Sequence, residues 1–312
     1  IIGLITYRAR VTPTLGPIGA LPTASPEEQR RVRSISIACV IAIIALIVLV
    51  ATGIIHINPV VLAERMGAVL LSLAVIYFAY LFFFAHLTTG EKKRVALIVV
   101  LFVFATIFWA AFEQAPTSLN LFALDFTDRN IHGWQVPATW FQSAESFFVI
   151  TLAPVFAWIW VALAKRKLDF SSPTKFAIGL AFCAASFGVM LMAANRIIAG
   201  STAGATLHVS MLWLVVCYMF QAFGELCLSP VGLSSMTKLA PRRFVGQMMG
   251  IWFLADSLGN LIAGLVGGHV NANNLAAMPQ LFQRTALSLL VAAIVCAALI
   301  IPIRKMMEEK PA

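Results

Sequence analysis

Four acids stand inside apolar stretches of this sequence: Glu113, Glu145, Glu225 and Asp256. On insertion scales an ionisable side chain within a membrane-spanning helix costs about 2.5–3.5 kcal/mol, so such an acid marks a proton path, a ligand site or a buried pair. Glu225 lies in the middle of the run 208–237, hence near the midplane of a bilayer. Gln221, Ser229 and Gly232 fall at i−4, i+4 and i+7 from it and form one polar stripe. Pro230 has no backbone N–H, so the carbonyl of Leu226 loses its donor and a bend is expected beside the acid. A broken midplane helix with an acid at the break is how many transporters build a site. The competing reading for Glu225 is a structural ion pair, but no Lys or Arg lies at midplane depth in this sequence.

The other acids are placed by their distance from the charged ends of their runs. Glu113 follows Phe108, Trp109 and Phe112 and lies about 28 Å beyond Arg94 at 1.5 Å per residue. That puts it near the outer end of its helix, either in a gate ion pair or as an interfacial acid reaching water. Thr106, Trp109, Glu113, Thr117 and Asn120 follow helical spacing, and Pro116 is expected to kink the segment. Glu145 lies about two turns inside Pro137 and shares a face with Gln142, with Trp140 nearby. Asp256 shares a face with Asn260, and Trp252 stands one turn earlier. Glu145 and Asp256 either line a cavity or serve helix packing. The spacings Gly246/Gly250 and Gly264/Gly268 read as close helix contacts. His56, His132, His208 and His269 fall at outer ends or loops and His86 at a cytoplasmic end, as ordinary interfacial residues. No zinc-protease, serine-hydrolase or phosphate-loop motif occurs, which argues against an enzyme or an ATP-driven subunit.

Elements able to hold these acids follow from composition. The chain has 312 residues, 61% hydrophobic and only 11% charged, with a mean hydropathy of +0.92. A soluble domain carries about a quarter charged residues. Eight stretches, near 34–55, 66–87, 94–122, 137–164, 174–199, 208–237, 243–268 and 282–303, reach the ~20 apolar residues that a membrane helix needs. Of the 22 Lys and Arg, all but Arg65, Arg129, Arg196 and Arg284 fall on one side of the resulting topology. By the positive-inside rule that side is cytoplasmic, and both ends of the chain face it. The net charge of +9 is therefore topological, and no nucleic-acid partner is expected. The five cysteines all lie in apolar runs without a Cys-x-x-Cys pair and read as small buried apolar side chains. Residues 1–8 resemble the end of a membrane helix cut through its middle, so the sequence reads as a fragment of a longer polypeptide. Residues 9–33, rich in Pro and Gly, read as a cytoplasmic linker, with Ser25 and Pro26 opening a short helix. The spans within 34–87 are bland and apolar all round, as peripheral helices are, whereas the six in 88–312 carry Gly, Pro or polar residues inside.

Two of these stretches resemble a known family. Phe108-Trp109 with Glu113-Gln114, and more closely Gly224-Glu225-Leu226-Cys227-Leu228-Ser229-Pro230-Val231-Gly232-Leu233-Ser234, resemble the seventh- and tenth-helix motifs of the proton-dependent oligopeptide transporters. That family is a branch of the major facilitator superfamily, and the likeness runs over nearly the whole chain. It implies an all-α polytopic membrane protein: the C-terminal six-helix bundle (88–312) of a bacterial member plus a lateral helix hairpin (34–87). The implied function is proton-coupled symport of di- and tripeptides by alternating access in the inner membrane. The proton is the coupling ion and no cofactor is needed; the partners are the peptide, membrane lipid and a missing N-terminal six-helix bundle. The resemblance makes Glu225 the contact for the peptide's amino end, Ser229 and Trp252 lining groups, and Glu113 a gate acid. Trp109, Gln142, Glu145 and Asp256 complete the candidate site, with Glu113, Glu225 and Asp256 assigned to gating or proton coupling. After Phe141-Gln142-Ser143 the family usually has an Asn, often followed by Pro; here Ala144-Glu145-Ser146 follows, and its first-helix Glu-x-x-Glu-Arg motif is not in this sequence. The alternatives are a major facilitator symporter for another small solute such as nitrate or drugs, or a membrane scaffold that transports nothing.

Overall fold

Each of the eight apolar runs forms a helix in the computed structural model, which describes residues 26–54, 58–166, 170–202, 208–268 and 277–308. The helices are α1 (Pro26–Ala51), α2 (Pro59–Phe83), α3 (Thr89–Phe112), α4 (Asn120–Phe126), α5 (Gln142–Lys165), α6 (Ser172–Thr202), α7 (Leu212–Leu239), α8 (Val245–Gly268) and α9 (Ala277–Glu308). Together α3 and α4 make one long span, so eight spans are long and apolar enough to cross a membrane. The protein is an all-α, multi-pass membrane protein. The expected cut helix at 1–8, the linker up to residue 25 with Ser25, and His56 and His269 lie outside the described residues.

The chain divides into two compact units, residues 1–62 and 63–312. In the first, the described elements are α1 and the opening residues of α2. In the second, α6 packs along α9 and α7, α8 along α3, and α5 along α7. Phe108, Phe122, Phe176, Phe187, Tyr218 and Phe282 are fully buried where these helices meet. Helices α6 and α7 touch at two glycines: a Cβ on either Gly179 or Gly224 would stand 2.9 Å from the other's carbonyl oxygen. Small residues at such crossings let backbones approach and gain dispersion contact where no hydrophobic effect operates. The part of α2 in this unit is tied to the bundle. Phe78 meets Phe102 edge-on at 5.6 Å, the Tyr77 hydroxyl donates to Gln247 Oε1 at 2.6 Å, and the Arg243 guanidinium donates to the Ala85 carbonyl.

The two expected proline effects came out differently. At Pro116 the span does break. Helix α3 ends at Phe112, and a wider turn over Ala115–Leu119, with Leu119 N–H bonded to the Gln114 carbonyl at 3.2 Å, leads into α4. Pro116 removes the donor that the Phe112 carbonyl would otherwise receive. By contrast Pro230 sits inside an uninterrupted α7, so the expected break beside Glu225 is corrected. One missing hydrogen bond leaves a helix continuous when its neighbours pack on it from several sides, as α6, α5 and α3 do here.

Three further readings change. Helix α9 begins at Ala277, earlier than the expected 282, with Pro279 in its first turn where the missing N–H costs nothing. Gly246, Gly250 and Gly264 meet nothing within 4 Å, so they are not the close contacts their spacing indicated. On α8 that role belongs to Gly259, whose Cβ would lie 2.4 Å from Trp109 Cβ and 2.8 Å from the Ala110 nitrogen. Of the cysteines, Cys183, Cys217, Cys227 and Cys296 are buried and free, whereas Cys39 on α1 is exposed. Four two-residue strands were also not anticipated. Thr127–Asp128 pairs in parallel with Val209–Ser210, and Asn130–Ile131 with Trp134–Gln135 around His132 and Gly133. Both turn residues have positive φ, +50° and +89°, as a tight two-residue hairpin requires.

Candidate functional site

Four helices bring the four acids together. Glu113 caps the C-terminal end of α3 at the Pro116 break, with its backbone N–H bonded to the Trp109 carbonyl. Glu145 stands in the first turn of α5, where the positive end of the helix dipole favours an acid. Glu225 is midway along α7, and Asp256 midway along α8. All four side chains are half-buried.

Glu145 of α5 and Glu225 of α7 lie close enough to interact with one another. Glu113 acts electrostatically on Glu145 and is itself acted on by Asp256 and Glu225. The Asn260 amide lies between two of the acids: its Nδ2 donates to Asp256 Oδ1 at 3.1 Å, and its side chain is near Glu113. Spacing along the sequence set Glu113 apart near an outer gate; the fold sets it within electrostatic reach of Glu225. Among the described residues the charged groups acting on these acids are the acids themselves, with no Lys or Arg.

Polar atoms with no hydrogen-bond partner accompany the acids. Gln221, one turn before Glu225 and fully buried, has neither its amide nitrogen nor its oxygen bonded. Ser229 Oγ and Trp109 Nε1 are likewise buried and unbonded. A buried polar group without a partner costs about 1–3 kcal/mol, so several in one place are a feature of a ligand or water site.

The remaining candidates divide. Gln142 is half-buried at the first position of α5, three residues before Glu145. Trp109 packs at the contact with Gly259, where α3 and α8 are closest. Trp252 is not on an open wall: it is 3% exposed, edge-on to Phe176 at 6.3 Å, and its ring fills the space a Cβ on Gly232 would need, 2.1 Å away. Thr106 also departs from the expected polar stripe. Its hydroxyl donates to the Phe102 carbonyl at 3.0 Å, and it faces a different groove from the acids. Sequence reading missed Tyr218, a buried residue on α7 two turns before Glu225 and near Glu145. Its place at i−7 from Glu225, with Gln221 between, was the available signal. Among the described residues no cluster of His, Cys, Asp and Glu fit to hold a metal occurs.

A model of the POT family matches residues 56–282. Among curated proteins, the peptide transporter YePEPT of Yersinia enterocolitica is 47% identical over 285 residues, covering 91% of this chain and 55% of its own. Dipeptide and tripeptide permease A of Escherichia coli is 31% identical, covering 91% and 54%. The chain thus spans about half the length of the curated relatives it matches. A solved peptide transporter POT in complex with alafosfalin superposes with a TM-score of 0.79 at 31% identity, over 99% of this chain and 59% of that one. A POT family transporter in complex with 5-aminolevulinic acid gives 0.77 at 26% identity, over 97% and 61%. With both motif helices inside the matched range and the whole helical arrangement shared, the chain belongs to the POT family of the major facilitator superfamily.

Proposed function

We propose that this chain is the C-terminal part of a proton-coupled symporter of di- and tripeptides, working by alternating access in a bacterial inner membrane with both ends cytoplasmic. The observation that carries the reading is the close approach of Glu145 and Glu225 inside a cluster of four half-buried acids. Acids gathered in a membrane interior without a base are stable only when protons or a cationic ligand neutralise them. A peptide supplies one cation at its amino terminus, and a proton neutralises a neighbouring carboxylate. Both can therefore be held at once on adjacent oxygens of the cluster, which couples their movement in one direction. Relatives named as peptide transporters and as a dipeptide and tripeptide permease support the substrate class.

In this reading Glu225 holds the peptide's ammonium and Glu145 the proton released when it binds. Gln221, Ser229 and Gln142 offer hydrogen bonds to the peptide backbone, and Trp252 sets the distance between α7 and α8 from behind. Glu113 and Asp256, with Asn260 between them, couple the α3 break to the position of α8 and so gate the outer side. A six-helix N-terminal bundle supplies bases that face the acids and the contact for the peptide's carboxylate. That α5 has no buried side chain over 24 residues, and that Gly246 and Gly250 meet open space, fit faces awaiting such a partner. In this reading 34–87 form the lateral hairpin and 88–312 the transport bundle.

The test is uptake of labelled dialanine into proteoliposomes holding this chain assembled with its N-terminal bundle. An inward proton gradient should drive accumulation that excess unlabelled dipeptide blocks and nitrate does not. Gradient-independent uptake, or none, would reject the proposal.

A further inference from the structure

The helices that carry the acids turn another face to a groove of about 570 Å³ between α3, α8 and α9. Ile107, Ala111, Ile262, Val266 and Leu281 make its walls mostly apolar. Arg284 is the one charged residue among the described residues lining it, and no acid is among them. It is exposed and lies seven residues into α9, about 10 Å along the helix axis. Beyond it the same stripe of α9 continues through Leu287, Val291 and Val295, which are 51%, 57% and 45% exposed. These residues belong to a span that crosses the membrane.

An aliphatic stripe open on the outside of a membrane helix meets acyl chains. An arginine near the end of such a stripe can extend its guanidinium to the headgroup level while its stem stays in the apolar zone. A lone cation beside an apolar groove matches a molecule with a phosphate at one end and hydrocarbon at the other.

We propose that this groove binds one anionic phospholipid. Its phosphodiester sits on Arg284, and one acyl chain lies between Ile107 of α3 and Ile262 of α8 and runs on over Val291. A lipid wedged there contacts three helices of the bundle and stiffens α8 against α9. The proposal depends on the chain spanning a membrane and not on the peptide-transport reading.

Native mass spectrometry of the delipidated full-length protein, offered equal amounts of phosphatidylglycerol and phosphatidylcholine, tests this. The wild type should retain one phosphatidylglycerol with about fivefold preference, the effect of one cation near the surface. Arg284→Gln should lose the preference, and Ser288→Trp, which fills the groove, should lower the bound lipid count by one. Inorganic phosphate should not displace the lipid. Equal retention of both lipids by wild type and Arg284→Gln would overturn the proposal. So would a wild type that retains no lipid because another protein segment covers the groove.

Discussion

Glu113 and Gln114 are neighbours in sequence and serve opposite sides of the bundle. Glu113 turns toward α7 and α8 and joins the acid cluster, near Asn260. Gln114 turns toward α9 and is 3% exposed, and every partner of its side chain is protein. Its Nε2 donates to Thr285 Oγ1 at 3.4 Å and to the Ala110 carbonyl at 3.3 Å, while its Oε1 accepts from Ser118 Oγ at 3.1 Å. The same division runs along α8, where Asp256 and Asn260 face the acids and Ile262 and Val266 line the apolar groove. A polar side chain in a membrane helix is therefore not by itself a sign of a site. What separates the two is satisfaction: Gln114 closes its own hydrogen bonds inside the protein, whereas Gln221 and Ser229 do not.

The largest expected effect removes both sides at once. Gly259→Leu would drive a side chain into the backbone of α3 at Ala110, where overpacking costs about 1–3 kcal/mol or more. The folded yield in detergent, read by size-exclusion chromatography with a fluorescent tag, should collapse. A monodisperse, thermally stable variant would show that the α3–α8 contact is looser than described.

Next comes the neighbouring pair. Gln114→Leu should cost about 1–3 kcal/mol of stability by stranding Thr285 and Ser118, lowering the midpoint of thermal unfolding while uptake per folded molecule stays within about twofold. Glu113→Gln should do the reverse, holding the midpoint and lowering proton-driven uptake about tenfold or more, the scale of one charge-assisted interaction. Identical profiles for the two variants would erase the distinction between the faces.

A smaller effect is expected from Pro116→Ala. Alanine restores an N–H, so a regular helix through 113–119 becomes possible and Glu113 turns away from Asn260. Uptake should fall by about threefold or more with little change in stability, on the scale of a weakened neutral hydrogen bond. Unchanged uptake would mean that the break does not position Glu113.

Much of this architecture could be read from residues. The spans were legible because about 20 apolar residues bracketed by Lys and Arg have few other uses. The start of α9 was harder, since Pro279 is as much at home in a first helical turn as in a loop. Depth along a single helix gave only part of the placement of Glu113. Rise per residue gives height but not the sideways turn that the wide Ala115–Leu119 segment imposes. The close approach of Glu145 and Glu225 joins positions 80 residues apart in sequence, and nothing local in either helix announces it. Trp252 read as a lining aromatic because its partner, Gly232, is visible only once α7 and α8 are packed. The expected span began at 94, whereas a capping box of Thr88 and Glu91 starts α3 at Thr89; the run Thr-Thr-Gly-Glu was the signal passed over.

The central claim is that Glu225 is where peptide and proton meet. In the assembled protein Glu225→Gln keeps the shape of the side chain and removes its charge. Dipeptide binding by isothermal titration and gradient-driven uptake should be measured side by side for this variant and the wild type. Losing a desolvated charge partner costs about 2–5 kcal/mol, so binding should weaken about 30-fold or more. Proton-driven uptake should be lost at normal expression, with Glu225→Asp retaining part of it. A Glu225→Gln protein that binds dipeptide and accumulates it at wild-type rates would contradict the account.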